Sequence, residues 1–191
     1  MNRRTTPKRR NAPQTKAKIL AAAQQAFSEH GYSQSGIRDI AAIADVSSTL
    51  LLRYYGSKTA LFEAALIDAM PLTGLLAGTE RERFGEVLAA TFMNPDLDIK
   101  PPSIIALSTG DADARDIATR VTAEHIIAPL AKWLGPPDAQ VRALEIVMLS
   151  ISFVLFSRQF PLIPARRGAD KKLAAWLATT IQSIVNQPHP T

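Results

Sequence analysis

The sequence predicts an all-α protein of about nine helices, and three observations predict it. Apolar residues recur three and four positions apart in segment after segment, which is the period of a helix face. Most of these segments are bounded by a capping residue, a glycine or a proline. No stretch of useful length alternates apolar and polar residues as a half-buried strand does. The 191 residues, 47% of them hydrophobic and 20% charged, can build a substantial core and exclude a disordered or collagen-like chain.

The elements follow in order. Residues 1–13 hold five Lys and Arg, no acid and two prolines, and read as a disordered basic arm. Gln14 to His30 is helical, with Ile19, Ala23, Ala26 and Phe27 on one face, and Gly31 is its terminator. Ser35 or Gly36 caps a short second helix carrying Ile37, Ile40, Ala41 and Ala44. A third helix spans Ser48 to Tyr55 and ends at Gly56-Ser57. Ser57 then caps a fourth, starting at Lys58, that Pro71 ends or kinks. Thr79-x-x-Glu82 reads as a capping box before Phe84, Val87, Leu88 and Phe92. Pro101 or Pro102 opens a short helix through Leu107. Asp111 caps a long helix that Pro129 should kink. After Gly135-Pro136-Pro137, helices are expected over Asp138–Phe160 and Ala169–Asn186.

Charge divides the chain. Residues 1–58 carry 10 Lys and Arg against Glu29, Asp39 and Asp45, leaving 12 basic against 14 acidic residues over 59–191. A basic N-terminal third on a near-neutral remainder points to a polyanion as partner of the first part. The absence of cysteine excludes disulfides, thiolate metal sites and thiol catalysis. No metal and no cofactor are expected. The first residues hold no apolar run, so no secretory signal is expected. The longest uncharged apolar stretch, 146–157, has 12 residues, short of the roughly 18 of a membrane span. A cytoplasmic protein without a membrane segment is expected.

The chemistry sits in residues 35–58, SGIRDIAAIADVSSTLLLRYYGSK. Two short amphipathic helices joined by a three-residue turn form a helix-turn-helix unit. Ala41 is small where the helices cross. Asp45 stands at the turn position that needs a positive φ, Val46 plugs the turn, and Ser47 caps the recognition helix. Ser48, Thr49, Arg53 and Tyr54 are left to face a major groove. Phe27 and Tyr55 are assigned to the core.

On these residues the segment 15–62 resembles the DNA-binding domain of the TetR family of bacterial transcriptional regulators. The matching features are Ile19-Leu20, Ala26-Phe27, Gly31-Tyr32, Ile37-Arg38-Asp39-Ile40-Ala41, Ala44-x-Val46-Ser47 and Tyr54-Tyr55-Gly56-Ser57-Lys58 with Leu61. The resemblance implies that Lys58 meets a phosphate at a helix start and that Tyr54 contacts another. Ser35 and Arg38 begin the second helix, where backbone N–H groups favour an anion. Arg53 can read a guanine or a phosphate. The chain departs from the family where Asp45 replaces the common glycine and where Leu50 and Leu52 replace polar residues. Each of these leucines either meets a thymine methyl or packs within the chain.

The resemblance also implies a homodimer on double-stranded DNA and a small-molecule pocket. We expect domains at 14–58 for DNA binding and at 59–191 for ligand binding and dimerisation. The helix through Val141–Phe160 is apolar almost all round, so one side should meet core and another a twin subunit. The expected interface residues are Val147, Ser150, Phe153 and Val154, with Leu173, Trp176, Leu177 and Ile184 of the last helix. The expected pocket residues are Phe92, Met93, Leu107, His125, Trp133 and Met148, suited to a small uncharged or amphipathic ligand. The predicted function is a repressor released from a palindromic operator by that ligand. The alternatives are a non-inducible architectural DNA-binding dimer and, remotely, an α-helical enzyme with a basic tail. Against the enzyme, His30, His125 and His189 are scattered, and no HExxH, GxSxG, Walker A or GxGxxG is present.

Overall fold

In the computed structural model, residues 12–70, 72–160, 162 and 168–187 are described. All but the last two residues of the expected basic arm lie outside them. Among the described residues there are helices and no strands. The order is α1 (Ala12–Gln34), α2 (Ile37–Ile43), α3 (Ser48–Tyr55), α4 (Lys58–Asp68), α5 (Leu72–Gly78) and α6 (Phe84–Met93). It continues through α7 (Pro101–Ser108), α8 (Ala112–Thr122), α9 (Ala128–Leu134), α10 (Ala139–Val154) and α11 (Ala169–Val185).

Helix α1 buries Ile19, Ala22, Ala23, Ala26 and Phe27, the face that the spacing predicts. It starts at Ala12, two residues inside the expected arm, and is interrupted at Gly31 (φ 73°, ψ 174°) before one more turn. Glycine is needed there twice over. The backbone is in the positive-φ region, and a Cβ would lie 3.2 Å from the Leu107 carbonyl oxygen of α7.

The caps predicted for α3, α4 and α8 all form. The hydroxyl oxygen of Ser47 accepts from Leu50 N at 3.2 Å and that of Ser57 from Ala60 N at 3.0 Å. The Asp111 carboxylate accepts from Ala114 N at 3.0 Å. The capping box at Thr79 does not form. A 3-10 turn, Arg81–Arg83, leads into α6 instead, whose first residues have no side-chain cap. Pro129 does not break its rod. A π turn at Ala123–Ile127 joins α8 to α9 and absorbs the missing N–H donor.

Two hydrophobic clusters organise the chain. The first joins α1–α4 to α7 and α8, so α4 packs with the helix-turn-helix rather than apart from it. At its centre Phe27 and Tyr32 meet the edge of Phe62, with ring centroids 5.0 and 5.2 Å away. The second joins α6, α9, α10 and α11. Segments 58–78 and 139–159 are long and apolar enough to cross a membrane by composition. Phe62, Ala65 and Leu66 of one lie in the first cluster, and Ile146, Val147, Phe153 and Val154 of the other lie in the second.

Three arginines, unmarked by any sequence pattern, close helix ends in the second cluster. Arg81 donates to the carbonyls of Trp133, Leu134 and Val185 at 2.9, 2.7 and 3.2 Å. The buried Arg142 donates to those of Leu134 and Gly135. Arg158 ties the carbonyls of Phe92, Asn94 and Leu97 together at the end of α6. Positive charge at helix C-termini offsets the partial negative charge of unpaired carbonyls.

Candidate nucleic-acid interface and ligand cavity

Helices α2 and α3 are joined by the turn that the sequence predicts. Asp45 has φ 53°, and Val46 N donates to the Ala41 carbonyl at 3.0 Å. Leu51 is fully buried and pins one side of α3 to the first cluster. The opposite side exposes Thr49, Leu52 and Arg53, spaced i, i+3 and i+4. Ser47 is also exposed, and Ser48 and Tyr54 are half-buried beside them. Arg38 is exposed in the first turn of α2.

Ser35 is a correction. It is 2% exposed, and its hydroxyl donates to the carbonyls of Gly31 and Ala26 at 2.7 and 3.0 Å. It ties off the end of α1 and is not free for an anion. Leu50 turns toward α1 and lines a groove with Thr15, Lys18, Ala41 and Asp45, so it is half-buried within the chain. Lys58 lies with its ammonium 4.1 Å from the centroid of Tyr32, whose hydroxyl pairs with Thr59 at 3.0 Å. Lys16 and Lys18, exposed on α1, add positive charge beside the recognition helix. Lys16 stands 5.7 Å from the Tyr54 ring centroid. Sequence reasoning did not single out either lysine, because the packing of α1 against α3 is not readable from spacing.

The turn yields a prediction. Asp45 holds a positive φ that glycine adopts without a Cβ penalty, and it puts a carboxylate beside Lys18 and Ser47. Asp45→Gly should raise stability by about 0.5–1 kcal/mol. It should also tighten DNA binding at low salt. Thermal melts and a salt series of binding curves check both.

Asp111 fastens the junction behind the interface. Besides capping α8, it accepts from the Ser33 hydroxyl of α1 at 3.0 Å. The Ala114 N–H bond, chiefly, holds its carboxyl below the usual aspartate value, with Ser33 helping. Nearby, Glu63 of α4 is held low mainly by its hydrogen bond to Arg120 of α8. A depressed folded value means that the stabilisation is present above the unfolded carboxylate range and is lost as pH falls through the folded value. The melting temperature should therefore drop in acid. Asp111→Ala should melt lower than wild type at pH 7 and lose less on acidification, as read by circular dichroism.

Behind this layer lies a cavity of about 440 Å³. Its walls come from α5, α6, α7, α9 and α10 and include Leu72, Phe84, Leu88, Phe92, Ile126, Leu130, Val147 and Ile151. Its polar groups are few. Gln24 and Asp68 stand where α1 meets α4, Asp98 and Lys100 lie in the loop before α7, and Thr91 and Ser150 are on the walls. The Gln24 amide donates to Asp68 Oδ2 at 2.8 Å and to the Ala65 carbonyl at 3.2 Å, so the cavity edge is also the α1–α4 joint.

Of the six expected pocket residues only Phe92 lines this cavity. Met93 packs into the second cluster. Leu107 is exposed and packs against Gly31. His125 is half-buried in the π turn after α8. Trp133 packs against Phe84 with the ring planes tilted by 41° and the centroids 4.8 Å apart, beneath Arg81. Met148 is exposed on another face. The misses share one cause: helix rotation decides which apolar side chain faces a cavity, and a helix that is apolar all round does not encode its rotation.

The same cause corrects part of the expected interface. Val147, Phe153, Val154, Leu177 and Ile184 are buried within the single chain. The Ser150 hydroxyl donates to the Ile146 carbonyl, and the residue lines the cavity. Leu173 is half-buried and Trp176 is exposed. The apolar surface of α10 instead carries Val141, Leu144 and Met148, and the π turn that follows it carries Phe156. Between α10 and α11 a shallow apolar groove runs past Met148, Phe156, Leu162, Leu173 and Trp176.

Comparison with known proteins agrees with both halves. Residues 19–65 match the model of bacterial regulatory proteins, tetR family. Residues 82–185 match the model of the tetracyclin repressor-like C-terminal domain. The HTH-type transcriptional regulator RutR of Escherichia coli K12 is 45% identical over 87 residues, covering 45% of this chain and 41% of that regulator. The chain thus spans less than half the length of the curated relatives it matches. Among solved structures, a Rhodococcus protein assigned to this family superposes with a TM-score of 0.71 at 18% identity, over 91% of this chain and 100% of that one. The fatty acid degradation regulator FadR of Bacillus halodurans gives 0.66 at 14%, over 98% and 100%. GusR of Salmonella enterica gives 0.65 at 20%, over 96% and 97%. At these identities the superpositions speak for the fold.

Proposed function

The chain belongs to the TetR family of bacterial regulatory proteins, a DNA-binding transcription regulator and not an enzyme, and from that premise we propose that it is a ligand-released repressor. It binds a palindromic operator as a cytoplasmic homodimer and leaves the operator when a small uncharged or amphipathic molecule fills the 440 Å³ cavity. Repression by occupancy needs no chemistry beyond a dimer seated on a promoter.

The observation that carries this reading is the position of the cavity. Apolar walls from five helices end at the Gln24–Asp68 contact, which joins α1 to α4 next to the helix-turn-helix. A molecule that fits the cavity better when α4 is displaced shifts the population toward the spacing that does not fit DNA. A pocket of this size and lining suits a small, largely apolar molecule. The exposed apolar surface of α10 and α11 supports the dimer, since a stripe holding Met148 and Trp176 at 60% and 51% exposure is unfavourable in water.

The test is enrichment from a random duplex pool, followed by a salt series on the winner. A palindrome bound far above random DNA supports the operator reading. Binding with a steep salt slope and no enriched palindrome rejects it. A thermal-shift screen then seeks the ligand. A compound that raises the melting temperature yet leaves operator affinity unchanged rejects release by ligand.

A further inference from the structure

The outward face of α3 is unusual for a helix that enters DNA. Thr49, Leu52 and Arg53 form its exposed stripe, and the central member has no polar atom in its side chain. Leu52 is 40% exposed and lies outside the side chains that pack on the first cluster. Its neighbour Leu50 is directed into the groove with Lys18 and Asp45, so the two leucines have separate fates. Leu51 holds the rotation of α3, because it is buried completely on the far side.

In the major groove the base edges present hydrogen-bond donors, acceptors and one apolar group, the thymine 5-methyl. A leucine placed against a G·C pair or an adenine edge strips water from polar atoms and offers them nothing. Against a thymine methyl it buries carbon on carbon. We propose that Leu52 reads a thymine 5-methyl in each operator half-site and is a specificity-determining residue, with Thr49 and Arg53 supplying polar contacts on either side. The assignment rests on the operator-binding reading and adds the base chemistry that this chain selects. It also explains how a recognition helix with a leucine at a central exposed position keeps its specificity: one hydrophobic contact replaces a hydrogen-bonded one.

The experiment uses the full chain and the duplex enriched from the random pool. Each thymine in the half-site is replaced singly by deoxyuridine, which removes the methyl and leaves every hydrogen-bonding group in place. Affinity is read by fluorescence anisotropy. At one symmetric position the change should weaken binding about fourfold per half-site, and about fifteenfold when both are changed, the size expected for one buried methyl each. Leu52→Ala should bind the thymine and deoxyuridine operators nearly equally, while its melting temperature stays near wild type because the side chain is exposed. The proposal is overturned if deoxyuridine is tolerated at every position, or if its effect survives undiminished in Leu52→Ala. A pool that yields no preferred sequence removes the operator reading itself and this assignment with it. A preferred sequence indifferent to the methyl removes only the assignment.

Discussion

On the proposed homodimer, Met148→Glu should convert the protein from dimer to monomer and weaken operator binding by roughly a hundredfold or more, the usual loss when two linked sites become independent. Met148 is 60% exposed on α10, close to Phe156 and Trp176, which are 52% and 51% exposed. A carboxylate on this apolar stripe would have to be desolvated to seat a second copy, and none of the described residues lining the groove is basic. The fold of the single chain should survive, because the side chain lies outside both clusters. Light scattering and circular dichroism read the two outcomes separately. A variant that remains dimeric with wild-type affinity would place the interface elsewhere.

Gly85→Ala should destabilise the second cluster by about 3 kcal/mol, at the upper end of ordinary overpacking. A Cβ at Gly85 would stand 2.2 Å from the Ala178 carbonyl oxygen and 2.9 Å from the Gln182 nitrogen. Both are backbone atoms, so no rotamer change relieves the clash and α6 must move off α11. Moving it also strains the bond from Gly85 N to Gln182 Oε1, 2.9 Å long. For a chain of this size the melting temperature should fall by roughly 6–12 °C. Gly74→Ala is the control. It lies in α5, a Cβ there meets nothing within 4 Å, and the change should be neutral or slightly stabilising. Equal losses for both variants would reject the close α6–α11 contact as the cause.

These two residues differ in how far the sequence announces them. Met148 was visible as part of an apolar helix, but its direction was not, and the sequence pointed it into the ligand cavity. Gly85 lies inside a helical pattern, where glycine signals only lower helix propensity. The DNA-facing elements were far more legible. The caps at Ser47 and Ser57 and the terminator at Gly31 are local requirements met by the residues that the chemistry calls for, and the positive φ of the turn is met by Asp45, which tolerates it less well than glycine. Ser35 shows where local reasoning stops. A serine before a helix looks like an anion contact or a cap, yet its hydroxyl is taken by the carbonyls of Gly31 and Ala26.

By itself the sequence determined the all-α class, most helix limits and the helix-turn-helix with its family resemblance, because helical period, capping and turn geometry act within a few residues. Only the tertiary structure decided which apolar side chains line the cavity, which form the outer stripe and which helix ends the arginines close. Those outcomes depend on helix rotation and on partners up to 104 residues apart, as in the Arg81–Val185 bond. A helix such as α10, apolar around most of its circumference, leaves that rotation to the packing of its neighbours.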